Sequence, residues 1–292
     1  MFAISMRIGQ FCINGQTAIG TQVEGSIRGI LAHDAQYPGT LDSIIRMGDE
    51  ALRNTQKLLS AANELDASRI AFLPTLTSPR KIICLGLNYI DHAVESKMEV
   101  PPYPTLFARF SSSLVGHGQP LLMPKLSSQF DFEGELVAVI GKDGRDIPKS
   151  RALEHIIGYS IFNDGSIRDY QLKTTQWTSG KNFDRSGAFG PWLVTADELP
   201  AGASGLKLET RLNGSVMQHA STSDMIFDVA TTVSLLSDFM TLEAGDVLVM
   251  GTPSGIGMTR RPPVFMRPGD VCEVQIESLG LLRNEIVATI SA

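Results

Sequence analysis

The chain has 292 residues, 43% of them hydrophobic, which is long enough to bury one large core or a large domain with a small attachment. Its net charge is -6 and its Lys and Arg residues are scattered, so it offers no basic footprint for nucleic acid or anionic lipid. No apolar run reaches the roughly 18 residues a membrane span requires, and Cys12, Cys84 and Cys272, odd in number and far apart, suggest reduced core thiols in a cytoplasmic protein.

Residues 1–75 read as a small α+β unit. Short strands are expected around Met6 to Ile13 and Thr17 to Gln22. A helix is expected from about Leu41 to Leu65, where Ile44, Ile45, Leu52, Leu59 and Ala62 form one apolar stripe. Leu73 to Arg80, with Pro74, Ser78 and Pro79, has the composition of a linker. The apolar run Lys81 to Leu87 then opens a larger domain, 76–292, as a buried strand. Strands dominate from there: Leu136 to Ile140, Ile156 to Phe162, Leu206 to Leu212, Val247 to Met250, Val271 to Ile276 and Leu281 to Thr289. Asn213-Gly214 predicts a tight hairpin turn after Leu212. One strong helix interrupts the strands, with Ser223 as its cap and Ile226, Val229, Val233, Leu236 and Met240 on one face. The pattern predicts an α+β fold, mainly β, rather than a doubly wound one.

In Phe132-Glu133-Gly134-Glu135-Leu136, two acids stand two residues apart at the mouth of an apolar run. On a strand they share a face. Adjacent carboxylates repel, and a divalent cation relieves the repulsion while taking both as hard oxygen ligands; a solvated edge strand would carry the same pattern. Asp164, at a sharp Asp-Gly turn after another apolar run, supplies a third acid, although an Asx turn explains that dipeptide without a metal. Three carboxylates with no cysteine and no suitably spaced histidine suit Mg²⁺, Mn²⁺ or Ca²⁺ rather than zinc.

His92 and Glu95 fall three apart on a predicted helix, where the acid can hold the imidazole in one tautomer, as in a water-activating base. An ordinary surface pair has the same spacing. Ser96 to Pro104, with three prolines, has the character of a loop able to close over a site. Lys181, among small residues, is suited to stabilising negative charge on a substrate oxygen, although most lysines are simply solvated. The glycine-rich turn Met250 to Gly257 offers backbone N–H groups and the Thr252 hydroxyl to a carboxylate. It matches neither a P-loop nor a dinucleotide fingerprint, and the chain lacks both Gly-x-Ser-x-Gly and His-Glu-x-x-His.

Taken in order, GLNYIDHAVE, SSLVGHGQPL, FEGELVAVIG, the Asn163-Asp164 turn, QWTSGKNFDRSGAFGPWLV, LNG and GTPSGIG resemble the successive signature blocks of the fumarylacetoacetate hydrolase family, over about residues 80 to 290. The resemblance implies a mixed β-roll catalytic domain, usually homodimeric, with a smaller N-terminal domain. It implies that Glu133, Glu135 and Asp164 bind Mg²⁺ or Mn²⁺, with Ca²⁺ as a substitute. His92 and Glu95 would form the catalytic dyad on a mobile lid, and Lys181 would act beside them. Thr252, Arg109 and Tyr170 would contact the substrate. Arg109 and Phe110 stand where many members carry Lys-Pro, Ile167 replaces a frequent alanine, and Arg185 stands where threonine is usual. Substrate identity therefore does not transfer.

The chemistry expected is hydrolysis of an acylpyruvate-type 2-oxo acid, with His92 deprotonating a water that attacks C4 and pyruvate enolate leaving on the metal. The same site would serve a 2-oxo acid decarboxylase, a hydroxy-dienedioate isomerase or a ureidoglycolate lyase. A metal-stabilised binding module is the expectation of another class. The enzymatic readings hang on three distant acids meeting around one divalent ion within reach of one imidazole; those oxygens scattered, or the ion's place filled by a lysine ammonium, would end the argument.

Overall fold

The computed structural model describes residues 7–289; Met6, at the start of the first expected strand, lies outside them. The larger of two main sheets has eleven strands, nine of which run in the order Ser26–Leu31, Gln16–Val23, Arg7–Ile13, Gly187–Thr195, Ile156–Asn163, Gly134–Ile140, Val247–Val249, Ile82–Gly86, Thr105–Ala108. Every pairing along that path is antiparallel except Val247–Val249 with Ile82–Gly86. The first three strands of the chain thus extend the same sheet that carries the acids, through Arg7 opposite Val194 and Ile8 opposite Leu193.

Gly134–Ile140 shows why the sheet lies between two layers. All seven of its residues are buried. Leu136, Ala138 and Ile140 belong to one apolar cluster and Val137 and Val139 to another, so the strand's alternation feeds a core on each face. The first cluster includes Leu208, Val274, Leu282 and Ile286 from a five-stranded sheet, ordered Ser215–Ser221, Lys207–Leu212, Val271–Ile276, Gly280–Ala288, Leu121–Met123. The second includes Leu41, Ile44, Ile45, Leu52 and Leu59 from two short helices. A mainly β, α+β architecture results, with no helix among the described residues long and apolar enough to cross a membrane. All three cysteines are unpaired, with Cys84 and Cys272 buried and Cys12 partly so.

Several local expectations change. The single helix expected from Leu41 to Leu65 is two, Leu41–Arg46 and Asp49–Ser60. Between them Gly48 has φ +89 and ψ -177, a conformation that only glycine adopts readily and that breaks the helical hydrogen-bond ladder. The later helix is Val229–Phe239, and its cap is Asp228, whose carboxylate accepts the Thr231 N–H at 2.7 Å. Ser223 instead sits in a short 3₁₀ turn closed by a capping box between Ser221 and Asp224. The strands Ser26–Leu31 and Gly187–Thr195 were not expected; glycines in both, and Pro191 in the second, mask their alternation. The hairpin turn is as predicted, with Asn213 at φ +51 and Gly214 at φ +79.

Replacing Asp228 with alanine should lower folding stability by about 1 kcal/mol, and replacing Ser223 should change it by less than about 0.5 kcal/mol, read from urea unfolding. Equal losses would place the cap at Ser223 after all.

Candidate active site

Local geometry fixes the acids. A Cβ on Gly134 would lie 2.1 Å from Thr210 Oγ1, so only glycine lets the Glu133-Gly134-Glu135 segment lie against the second sheet. The Gly134 N–H donates to Gln218 Oε1 at 2.9 Å, and Gln218 Nε2 donates to Thr252 Oγ1 at 2.7 Å. The Asp164 N–H donates to the Glu133 carbonyl at 2.8 Å, which brings the end of Ile156–Asn163 to the acid pair. One carboxylate oxygen from each of Glu133, Glu135 and Asp164 lies within 4.8 Å of the others, and all three residues are buried.

Cations enclose this group. Lys181 Nζ stands 2.7 Å from Glu133 Oε2 and 2.7 Å from Asp164 Oδ2, so in this structure an ammonium bridges two of the three acids. Arg168 Nη1 donates to Glu133 Oε1 at 2.6 Å, and its Nε to Asp131 Oδ2 at 2.8 Å. Arg109 pairs with Asp164 Oδ1. Four buried acids (Asp131, Glu133, Glu135, Asp164) therefore face three permanent cations (Arg109, Arg168, Lys181), and among the described residues Glu135 is in no ion pair. Its carboxylate accepts the Gly251 N–H.

The electrostatic consequences diverge along one strand. Burial and the neighbouring Asp164 and Glu133 carboxylates raise the Glu135 carboxyl well above its ordinary value. For Glu133, burial pushes in the same direction but Lys181 and Arg168 outweigh it, and the carboxyl falls well below the usual range. A surplus acid beside two paired ones, all hard oxygen donors, fits a divalent cation. Each paired oxygen keeps a second lone pair for ligation. The Lys181 ammonium, the group whose presence in the ion's place would end the metal argument, lies against Glu133 and Asp164 but forms no ion pair with Glu135, so it occupies that place only in part; its charge weakens ion binding without removing the donor set.

Glu133 and Glu135 open onto a cavity of about 180 Å³, also lined by His92, Arg168, Gln171, Lys181, Thr252, Phe107 and Trp177, whereas Asp164 is not among its lining residues. His92 lies on the helix Ile90–Glu95, and its Nδ1 is 3.0 Å from Glu95 Oε1. Glu95 is held in turn by the Gly255 N–H, at 3.0 and 2.9 Å from its two oxygens, and by Thr259 Oγ1 at 3.0 Å. With Nδ1 engaged, Nε2 is the nitrogen left to exchange a proton. Of the other expected site residues, Thr252 lines the cavity, with its hydroxyl donating to the Gly134 carbonyl at 3.1 Å. Arg109 and Tyr170 are not among the lining residues. Arg109 is 2% exposed and spends its guanidinium on Ser113, Asp164, Gly165 and Ser186, while the Tyr170 ring packs edge-on against Phe183 at 5.0 Å.

Two site residues escaped the sequence. Asp131 accepts from the Gly257 and Met258 N–H groups at 2.8 and 3.0 Å and pairs with Arg168, joining the glycine-rich turn to the acids. Extending the Glu133/Glu135 alternation back by two would have found it. Arg168 is 2% exposed, and its Nη2 is buried with no partner in a residue that lines the cavity. Four residues past Asp164 on a short helix, it carries no sequence signal of that position.

The dyad predicts a pH dependence. Burial opposes ionisation of Glu95, but hydrogen bonds from His92 and the Gly255 N–H outweigh it and bring the carboxyl below its ordinary 4.5. A lowered folded value stabilises the fold above the unfolded value and loses that stabilisation as pH falls through the folded one. Glu95→Gln should therefore be less stable than the parent near neutral pH, with the gap narrowing below about pH 4 in urea unfolding. A gap independent of pH would mean that the charge of Glu95 is not what the helix contacts recognise.

The family model of the fumarylacetoacetate (FAA) hydrolase C-terminal domain matches residues 81–287. The mitochondrial oxaloacetate tautomerase of Xenopus laevis is 38% identical, with 98% of this chain and 91% of that protein covered. A human mitochondrial oxaloacetate tautomerase is 36% identical over 97% of this chain and 92% of its own length. The solved fumarylacetoacetate hydrolase of the psychrophile Exiguobacterium antarcticum superposes with a TM-score of 0.85 at 37% identity, covering 97% of this chain and 100% of that one. A 2-hydroxyhepta-2,4-diene-1,7-dioate isomerase from Mycobacterium marinum gives a TM-score of 0.75 at 29% identity, over 98% and 100%. With the acids, the dyad and the turn in place on this fold, the chain belongs to the fumarylacetoacetate hydrolase family.

Proposed function

We propose that the protein is a metal-dependent enzyme that moves a proton at the carbon beside the keto group of a small 2-oxo acid, interconverting keto and enol or shifting a conjugated double bond. The observation that carries this is Arg168, which lines the cavity together with His92 and whose buried Nη2 has no hydrogen-bond partner among the described residues. An unpaired buried donor of this kind is costly unless an anion completes it, and a planar carboxylate is its natural complement. A carboxylate on Arg168, which also pairs with Glu133, would put the substrate beside the acids in the cavity that His92 lines.

Glu133, Glu135 and Asp164 would hold Mg²⁺ or Mn²⁺. That ion supplies polarisation of the keto oxygen, which acidifies the neighbouring carbon. His92 Nε2 takes and returns the proton, Glu95 keeps Nδ1 protonated and the ring oriented, and Lys181 offers positive charge beside the developing enolate. The names of the tautomerase and isomerase relatives favour this proton transfer over carbon–carbon hydrolysis, which would instead release an enolate as its leaving group.

In assays of keto–enol exchange on 2-oxo acids, His92→Ala should lose 10²-fold or more in kcat, the usual yield of a positioned base, and EDTA should abolish turnover in a way that Mn²⁺ restores. Turnover indifferent to both would end the proposal. Metal affinity tests the lysine: removing a competing cation in Lys181→Met should tighten Mn²⁺ binding by roughly tenfold, measured calorimetrically. Because Glu135 is raised, the affinity of the parent protein should increase with pH as that carboxyl gives up its proton. If neither protein binds Mn²⁺, the site is not a metal site.

A further inference from the structure

The helix Ile90–Glu95 carries the base, yet at six residues it is too short to hold its shape alone. Apolar burial does little to seat it: Ile90 and Val94 are 57% and 67% exposed, and only His92 and Ala93 are buried. Asn88 ties its start to the Met250 carbonyl at 2.7 Å, and the Glu95 carboxylate ties its end. The Gly255 N–H stands almost equally far from both oxygens of that carboxylate, at 3.0 and 2.9 Å, so it does not decide how the carboxylate plane is turned. Among the described residues, Thr259 is the one side chain besides His92 that hydrogen-bonds to Glu95, and it reaches Oε2 alone, leaving Oε1 to the imidazole.

The Thr259 hydroxyl lies 3.0 Å from Glu95 Oε2 and also 3.0 Å from the Ile256 carbonyl oxygen. It has a single proton, for which the two acceptors compete. The ionised carboxylate takes it, because charge-assisted bonds are the stronger. Without Glu95 the proton turns to Ile256, so no donor is left unpaired and the hydroxyl loses its influence on the site. We propose that Thr259 is a positioning residue for the base: through Glu95, its hydroxyl fixes the plane of the carboxylate and with it the orientation of His92. The inference rests on His92 acting as the base in the function proposed above.

The test compares Thr259→Val, Thr259→Ser, Glu95→Ala and the double variant Thr259→Val/Glu95→Ala with the parent protein. Thr259 is only partly buried, so its substitutions spare the core. The probe is keto–enol exchange of oxaloacetate, the acid named for the animal relatives, with Mn²⁺ present. Thr259→Val should lower kcat about fivefold, less than a fully buried bond to a charged group would yield because the Glu95 side chain is 21% exposed. KM should change by less than about twofold, since Thr259 is not among the cavity-lining residues. Thr259→Ser should keep the parent rate within about twofold. With metal and substrate absent, amide hydrogen exchange over residues 90–96 should quicken about threefold or more in Thr259→Val and stay at the parent rate in Thr259→Ser. Both effects of the valine should vanish in the Glu95→Ala background. The role is overturned by an unchanged kcat or unchanged exchange in Thr259→Val, by a loss expressed in KM, by failure of serine to rescue, or by effects that persist without Glu95. Parent protein that leaves oxaloacetate untouched, or His92→Ala that turns it over as the parent does, overturns the proposed function and the role of Thr259 with it; failure of the Thr259 arms alone leaves that function standing.

Discussion

Concentrating negative charge where water is excluded is the constraint on which this molecule is organised. Glu133, Glu135 and Asp164 are buried within a few ångströms of one another, a cost that side-chain burial alone would never repay. Lys181, Arg168 and Arg109 offset most of it and leave Glu135 over. That remainder makes the site chemically useful, because a pocket fully neutralised by its own side chains has nothing to offer an ion or a developing charge. The ammonium bridge is consistent with this account: it sits where positive charge is most stabilised, in competition with any metal.

The fold serves this arrangement by burying the acid strand on both faces. Helices lie on one side and a second sheet on the other, and Glu133 and Glu135 line the cavity shared with His92. Side chains outside the cavity lining hold this region in shape. Gln218 ties Gly134 to Thr252 and to the Pro253 carbonyl, and Asn88 fixes the start of the dyad helix to the Met250 and Phe227 carbonyls at 2.7 and 3.0 Å. Such contacts are what keep catalytic groups within the tolerance that their chemistry requires.

Much of this was legible in the sequence, for local reasons. Alternation put Glu133 and Glu135 on one face, a strand-ending Asp-Gly put Asp164 at a rim, and a three-residue spacing paired His92 with Glu95; each depends on neighbours along the chain. What stayed hidden depends on neighbours in space. Arg168 and Asp131 look like ordinary polar residues until the fold closes on them, and nothing near Lys181 shows that its ammonium will lodge between two acids. Arg109 is the converse case: its place beside a signature block suggested a substrate contact, yet its guanidinium is absorbed by Asp164 and two serines. Helix boundaries failed at Gly48 and Ser223 because a single unusual dihedral or a competing 3₁₀ turn decides them.

Asp131 has one more consequence. By taking the Gly257 and Met258 amides onto a carboxylate already anchored by Arg168, it keeps the glycine-rich turn in one shape from below, while from above the same turn presents the Gly255 amide to Glu95. The dock for the histidine's helix is thus preassembled by the residue that also braces Arg168. Setting the imidazole in place requires no further ordering of the surface that receives it.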